Sequence, residues 1–296
     1  MTVLRRGKVT AADVPAEGTT KTQLAKLMVG REVLFQVDKK KAQPGRLVLQ
    51  VDSLNADNDR GLPALRDVSL QVRVGEIVGV AGVAGNGQRE LAEALTGLRV
   101  AKSGKMRLGD ILLDNHTHWL DLGRQLAHIP EDRATFGSIP ELSVAENLIL
   151  KRFSRPPIAA GWSINAKAVH QNAVRLVDVY QISTPSVDTP VRMLSGGNLQ
   201  KVILARETSE RPQLMIAVHP TRGLDIGATE AVHKLLVEQR DAGTAILLIS
   251  EDLDELLSLS DHLIVMYEGQ IVGEMPAEGA DIHTIGLMMA GTKVEA

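Results

Sequence analysis

From residue 46 onward the apolar and polar positions change period several times. Residues 47–51 and 68–72 alternate apolar with polar, the mark of strands with one buried face. Residues 76–81 are nearly all apolar and run into glycines, which predicts a strand buried on both faces. Three later runs, 214–218, 245–250 and 263–267, are apolar and of strand length. Between them, residues 90–98, 199–208 and 228–240 carry the helical period. Strand and helix in that order predict an α/β fold: a mostly parallel sheet flanked by helices, with antiparallel strands at the N-terminal side. Residues from about 137 to 191 interrupt the alternation with two helical patterns, 144–151 and 166–179, and predict an inserted helical subdomain.

The two ends of the chain resemble each other. Pro15-Ala16-Glu17-Gly18 recurs as Pro276-Ala277-Glu278-Gly279, about 260 residues later, and at that spacing Met28 and Gly30 match Met289 and Gly291. One residue out of step, Val3 and Gly7 match Val265 and Gly269. Both ends read as strand, tight turn at glycine, strand, acidic loop and a helix closed by glycine. The expected organisation is therefore the tail of one repeat (1–36), a linker (37–45) and one further copy (46–296). Lys39, Lys40 and Lys41 read as charged residues of a solvated linker.

Composition narrows the function classes. A length of 296 residues suits one domain plus an appendage. An aromatic share of 2% and a formal charge of −3 argue against a base-stacking or phosphate-tracking surface, so no nucleic-acid partner is expected. With no cysteine there is no disulfide framework and no thiolate metal site. The apolar stretch 77–85 falls far short of the roughly 20 residues that span a bilayer, and no signal-peptide core follows Arg5 and Arg6. The chain reads as cytoplasmic, reaching a membrane only through a partner.

Two glycine-rich segments carry candidate chemistry. Gly82-Val83-Ala84-Gly85-Asn86-Gly87-Gln88-Arg89 follows a buried strand and opens a helix, with the spacing of a phosphate-binding P-loop. Its glycines let backbone N–H groups converge on an anion at a helix start. The side chains that complete such a site are absent: Gln88 stands where lysine reaches the β- and γ-phosphates, and Arg89 where a hydroxyl ligates Mg²⁺. The glycine spacing does not suit a dinucleotide fingerprint. The second segment, Leu194-Ser195-Gly196-Gly197-Asn198, places a capping serine and two glycines before a helix. Either turn alone serves structure as readily as binding. About twenty residues after the second comes an apolar strand with Val218-His219-Pro220-Thr221-Arg222-Gly223-Leu224-Asp225.

P-loop, LSGG signature, apolar strand with Pro-Thr and Gly-Leu-Asp loop, in that order over residues 47–291, closely resemble the ATP-binding domains of ABC transporters. Ile129-Pro130-Glu131-Asp132-Arg133 and Asn198 resemble the second, C-terminal domain of tandem importers of simple sugars and purine nucleosides; Ser250-Glu251-Asp252-Leu253-Asp254-Glu255 leans towards the nucleoside branch. The resemblance implies a P-loop NTPase-type fold, ATP as ligand and a head-to-tail pair with a preceding ATP-binding domain. It further implies permease subunits as partners, a solute-binding protein indirectly, and a place at the inner face of the membrane.

The departures from the family pattern cluster at one site. Its Asp-Glu pair, which holds Mg²⁺ and polarises the attacking water, is matched by Val218 and His219; its switch histidine by Glu251; its Q-loop glutamine by Glu131. No aromatic residue lies between Leu47 and Gly75 to stack on adenine. Phosphoryl transfer depends on metal and positioned charge. A lost charge-assisted bond costs about 1.5–3 kcal/mol, and a lost general base roughly 10²–10⁴ in rate. No catalytic residue and no metal ligand is therefore assigned in this chain, and weak or no Mg²⁺ is expected in its own site. The resemblance leaves Ser195, Gly196 and Gly197, with Leu194, Asn198 and the D-loop Asp225, as a signature donated to ATP and Mg²⁺ held by the partner domain. His219 stays open as a substitute base or ligand, and Arg89 as a replacement cation or a block. His116 and His118 read as surface loop residues. Two other readings remain: a nucleotide-independent structural or regulatory module, and a self-sufficient ATPase with unusual catalytic residues.

Overall fold

The computed structural model describes residues 1–5, 8–15, 18–20, 23, 27, 39–114, 117, 121–161 and 163–292. His116, His118, Ala16, Glu17, Met28, Gly30 and the first linker positions lie outside them. The N-terminal half holds β1 (Val3–Arg5), β2 (Lys8–Ala11), β3 (Leu47–Asp57), β4 (Pro63–Arg73), β5 (Ile77–Ala81), α1 (Gln88–Leu95), β6 (Ser103–Leu108), β7 (Ile111–Leu113) and β8 (Leu126–Ile129). Next come α2 (Val144–Ile149), the short pair β9 (Ala159–Ala160) and β10 (Ser163–Ile164), α3 (Ala166–Val179) and α4 (Gly196–Thr208). The C-terminal third holds β11 (Leu214–Val218), α5 (Ile226–Asp241), β12 (Ala245–Ile249), α6 (Leu253–Leu259), β13 (His262–Tyr267), β14 (Gln270–Pro276) and α7 (Ile282–Met289).

The central sheet runs β14-β13-β5-β12-β11-β8, parallel except for the edge strand β14. A second, antiparallel sheet has the order β4-β3-β6-β7. Alternation along β11 divides the core between layers. Leu214, Ile216 and Val218 join Leu91 and Leu95 of α1 and Val51 and Leu54 of β3. Met215 and Ala217 join Ile203 of α4, Leu236 of α5 and Leu256 of α6 on the other face. A third cluster unites Leu148 of α2, Ala173 and Leu176 of α3, and Val202 and Ala205 of α4. The helix that follows the Gly-Gly turn thus packs on both the sheet and the helical segment, and carries one against the other.

Element limits differ from the sequence expectation where polar residues break a period. β3 and β4 are each 11 residues long. They pair through register shifts, with Ser53 and Asp67 at positive φ: the in-out alternation holds at 68–72, is broken at Arg66-Asp67 and at Asp52-Ser53, and the ladder continues through both breaks. α1 begins at Gln88 and stops at Leu95, not at Leu98: Thr96 Oγ1 donates to Ala92 O at 2.8 Å, and Gly97 takes φ +75°. The reading of Lys39 as a solvated side chain is corrected, whereas the Lys40 side chain is exposed and only its carbonyl is held. Arg240, 1% exposed, donates from Nη2 to Lys40 O at 2.9 Å and from Nη1 to Asp261 at 2.9 Å. Lys39 lies 3.6 Å from the same Asp261. Lys41 stays in solvent.

Both chain ends carry an antiparallel hairpin, β1–β2 and β13–β14. A helix-start cap follows each. Thr20 and Gln23 exchange bonds of 3.0 and 3.2 Å, and Asp281 accepts from Thr284 N at 2.9 Å, at the spacing of the sequence repeat.

Candidate functional site

The glycine-rich loop leaves the C-terminal end of β5. Gly85 and Gly87 adopt φ +87° and +100°, values that cost a residue with a Cβ. A Cβ on Gly87 would also lie 2.6 Å from Ala64 O. Asn86 ties the loop to the β13–β14 turn: its Oδ1 accepts from Glu268 N at 2.7 Å and its carbonyl from Gly269 N at 3.1 Å. The backbone is therefore held in shape by β4 and the hairpin, independent of any ligand.

Gln88 fills that shape. It is buried, and its Nε2 donates to Val83 O across the loop at 3.2 Å. The same nitrogen lies 2.2 Å from where a Cβ on Gly82 would sit. Arg89 turns outward instead, 2.7 Å from Glu93 and 3.5 Å from Asp59. The hydrogen bond that Arg89 donates to Glu93, with the charge of that carboxylate, raises the Arg89 guanidinium above its ordinary value. Arg99 meets the same two carboxylates at 2.6 Å each.

Val218 ends β11 in the core, and His219 follows at φ +45°, its N–H bound to Ile249 O at 2.8 Å. A cleft of about 530 Å³ opens here, lined by Arg89, Glu93, Arg99, His128, Glu131 and Val218 among others. Burial pushes His128 down to about 4, so it is neutral near pH 7. Glu131 is ion-paired with Arg222, and Glu251 is exposed. A divalent cation beside the loop would meet a guanidinium at 89 and an isopropyl group at 218, neither of them an oxygen ligand.

The Leu194–Asn198 turn has a different character. Leu194 packs on the third cluster and fixes the approach. Ser195 caps α4, and Asn198 holds the cap, donating from Nδ2 to Ser195 Oγ at 3.0 Å and accepting from Ser183 N at 2.9 Å. Gly196 and Gly197 occupy the first helical positions, where N–H groups have no acceptor within the helix. Ser195 and Gly196 are exposed. A second cleft of about 450 Å³ adjoins them, lined by Glu131, Asp132, Arg133, Gly196, Leu199 and Arg222 with Ala134. Asp225 caps α5 through Ala228 N at 2.8 Å.

Sequence reasoning missed the most connected group near these loops. Glu255 of α6 is buried and accepts from Thr221 Oγ1 at 2.7 Å, His233 Nε2 at 2.9 Å and Ser250 Oγ at 2.6 Å. It joins the loop after β11, helix α5 and the end of β12. Burial opposes its charge, but hydrogen bonds from His233, Ser250 and Thr221 prevail and hold its carboxyl below the usual carboxylate range. The sequence carries one hint: of the two acidic residues in Leu253–Leu259, Glu255 precedes Leu256, on the side of the helix that packs inward.

A family model described as ABC transporter matches residues 65–222. The chain is 43% identical over 293 residues to a guanosine import ATP-binding protein of Bacillus subtilis, covering 99% of this chain and 57% of that protein. It is 42% identical to a glucose import ATP-binding protein of Haloferax volcanii (98% and 53% covered). A nucleoside import ATP-binding protein of Lactococcus lactis is 40% identical (99% and 58%). The chain thus spans little more than half the length of these curated relatives. Among solved structures, a nucleotide-free ATP-binding cassette of an ABC transporter superposes with TM-score 0.65 at 23% identity, over 78% of this chain and 92% of that one. An ATP-binding subunit of an ABC transporter gives TM-score 0.68 at 21% identity, over 82% and 99%. At these identities the structures speak for the α/β cassette fold alone.

Proposed function

The chain belongs to the ABC transporter family of ATP-binding domains, and on that premise we propose that it is the second such domain of a tandem import ATPase whose own phosphate site is silent. One observation carries this reading: the Gln88 amide lies inside the phosphate loop, while Ser195 and Gly196 stand open to solvent and Gly197 is half-exposed beside them. In this reading ATP, with Mg²⁺, belongs to the P-loop of the domain that precedes it. The present chain contributes the Ser195 hydroxyl and the Gly196 and Gly197 N–H groups to that nucleotide's phosphates. Backbone N–H groups aimed at developing charge need no reorganisation during transfer.

The repeated hairpin and helix cap at the two ends support the tandem arrangement, with residues 1–36 as the tail of the preceding domain and 37–45 as the linker. The helical segment 137–191 and the Glu131 loop would meet permease subunits and pass closure to them through α4. Among the described residues no helix is long and apolar enough to cross a membrane, so attachment to the inner face would come through that permease, with a solute-binding protein acting indirectly. The solute class is a simple sugar or a nucleoside, in line with the relatives' names.

The test is made on the chain alone. ATP turnover is expected at background, and calorimetry is expected to show nucleotide affinity that changes less than about tenfold, or roughly 1.4 kcal/mol, on adding Mg²⁺. Robust Mg²⁺-dependent phosphate release, abolished by His219→Ala, would instead establish a self-sufficient ATPase with unusual catalytic residues.

A further inference from the structure

Arg133 stands against the signature turn without a counterion. Its Nη1 lies 3.3 Å from the position a Cβ on Gly196 would take, and it lines the same cleft as Gly196 and Leu199. Among the described residues it has neither a hydrogen-bond nor an ion-pair partner, although burial lowers its guanidinium from the ordinary value. Arginine partly withdrawn from water, as Arg133 is, recovers the cost through a carboxylate or phosphate.

The nearby carboxylates are committed elsewhere. Glu131 pairs with Arg222, and Asp132 Oδ1 accepts from Ala134 N and Thr135 N at 3.0 Å each. The loop itself is rigidly placed. Ser138 Oγ donates to Arg133 O at 2.9 Å, and Phe136 N and Gly137 N both donate to Asp132 O at 3.1 Å. A Cβ on Gly137 would lie 2.8 Å from Arg133 O, so the loop closes tightly under the arginine. The result is a half-buried, uncompensated positive charge carried by a well-held backbone beside an exposed turn.

We propose that Arg133 is a phosphate-binding residue of the signature turn, pairing with the terminal phosphate of a nucleoside triphosphate presented by the opposite domain. This rests on the in-trans role proposed for that turn. Gly196 has no side chain to come between the guanidinium and the N–H groups. Fork and N–H donors together match the several oxygens of a tetrahedral oxyanion, which a single carboxylate does not supply. Arg133 adds charge where the backbone supplies only dipoles.

The experiment uses the two-domain protein with its permease and reads calorimetric affinity for a non-hydrolysable ATP analogue with Mg²⁺, alongside co-purification of the permease. Gly196→Asp tests the turn; Arg133→Gln and Arg133→Lys test the arginine. Arg133→Gln is expected to weaken the analogue roughly tenfold, the scale of one partly exposed charge-assisted bond, with an unchanged urea midpoint. Arg133→Lys should recover part of that loss as a point charge without the fork. Weakening by Gly196→Asp but not by Arg133→Gln overturns the role of Arg133 and leaves the in-trans reading standing. No weakening by either overturns both. If Arg133→Gln spares nucleotide affinity but releases the permease, its partner is an acidic permease group and the phosphate assignment is wrong.

Discussion

Replacing Glu255 by alanine removes the acceptor on which side chains from the loop after β11, α5 and the β12 end converge. Thr221, His233 and Ser250 would each lose a bond of 2.6–2.9 Å to a buried carboxylate. A hydrogen bond to a charged group contributes about 1.5–3 kcal/mol, but bonds sharing one acceptor are not additive. Removing one member of a buried charged network costs about 3–5 kcal/mol, and that is the expected loss. On the scale for domains somewhat smaller than this chain, it lowers Tm by roughly 6–20 °C.

The pH dependence has a defined sign. The folded carboxyl sits below its ordinary value, because the three donors outweigh the burial that would raise it. Its contribution is therefore complete above the unfolded value and is lost as pH falls through the folded one. Urea unfolding of wild type and Glu255→Ala near pH 7 should show the full gap, and the gap should narrow below about pH 4.5, the ordinary glutamate value. Glu255→Gln, which keeps an acceptor but not the charge, should fall between them. A loss under about 1 kcal/mol, or a gap that persists undiminished into acid, would refute the assigned network.

His128, held at about 4 by burial against an ordinary 6.5, binds its proton mainly in the unfolded chain, so stability falls as pH drops from about 6.5 towards 4. Between pH 7 and 5 this amounts to about 1–2 kcal/mol, and His128→Gln should flatten that part of the urea-derived stability profile. Gly82→Ala puts a Cβ 2.2 Å from Gln88 Nε2 and 2.9 Å from Met266 O. It should cost about 1–3 kcal/mol by thermal melting, and adding Gln88→Ala should return only the share due to the amide. Arg240→Met frees the Lys40 carbonyl, so limited trypsin digestion should cut within Lys39–Lys41 faster than in wild type, where that carbonyl is held. Equal cleavage in both would show that Arg240 does not restrain the segment.

The local parts of this protein were written in the order of its residues. Unbroken apolar runs identify β5, β11 and β12 because both of their faces are covered, and no polar position is tolerated in such a strand. Glycine and serine patterns located both turns that open helices, since positive φ and N-capping are demands that few residues meet. The positions of Gln88, Arg89, Val218 and His219 could likewise be named without coordinates. Their consequences could not. That Gln88 folds into its own loop depends on the space left by Gly82, which Met266 limits from β13, far along the chain. That Glu255 is a hub depends on three elements meeting, and no periodicity reports a contact between residues 221 and 255. That the Lys40 carbonyl is held by a buried Arg240, and the Lys39 side chain by Asp261, depends on groups 200 or more residues away. Short-range conformational preferences are properties of neighbouring residues and can be read from them. The partner of a buried charge is chosen by the fold, which brings distant groups together at the one distance where desolvation is offset.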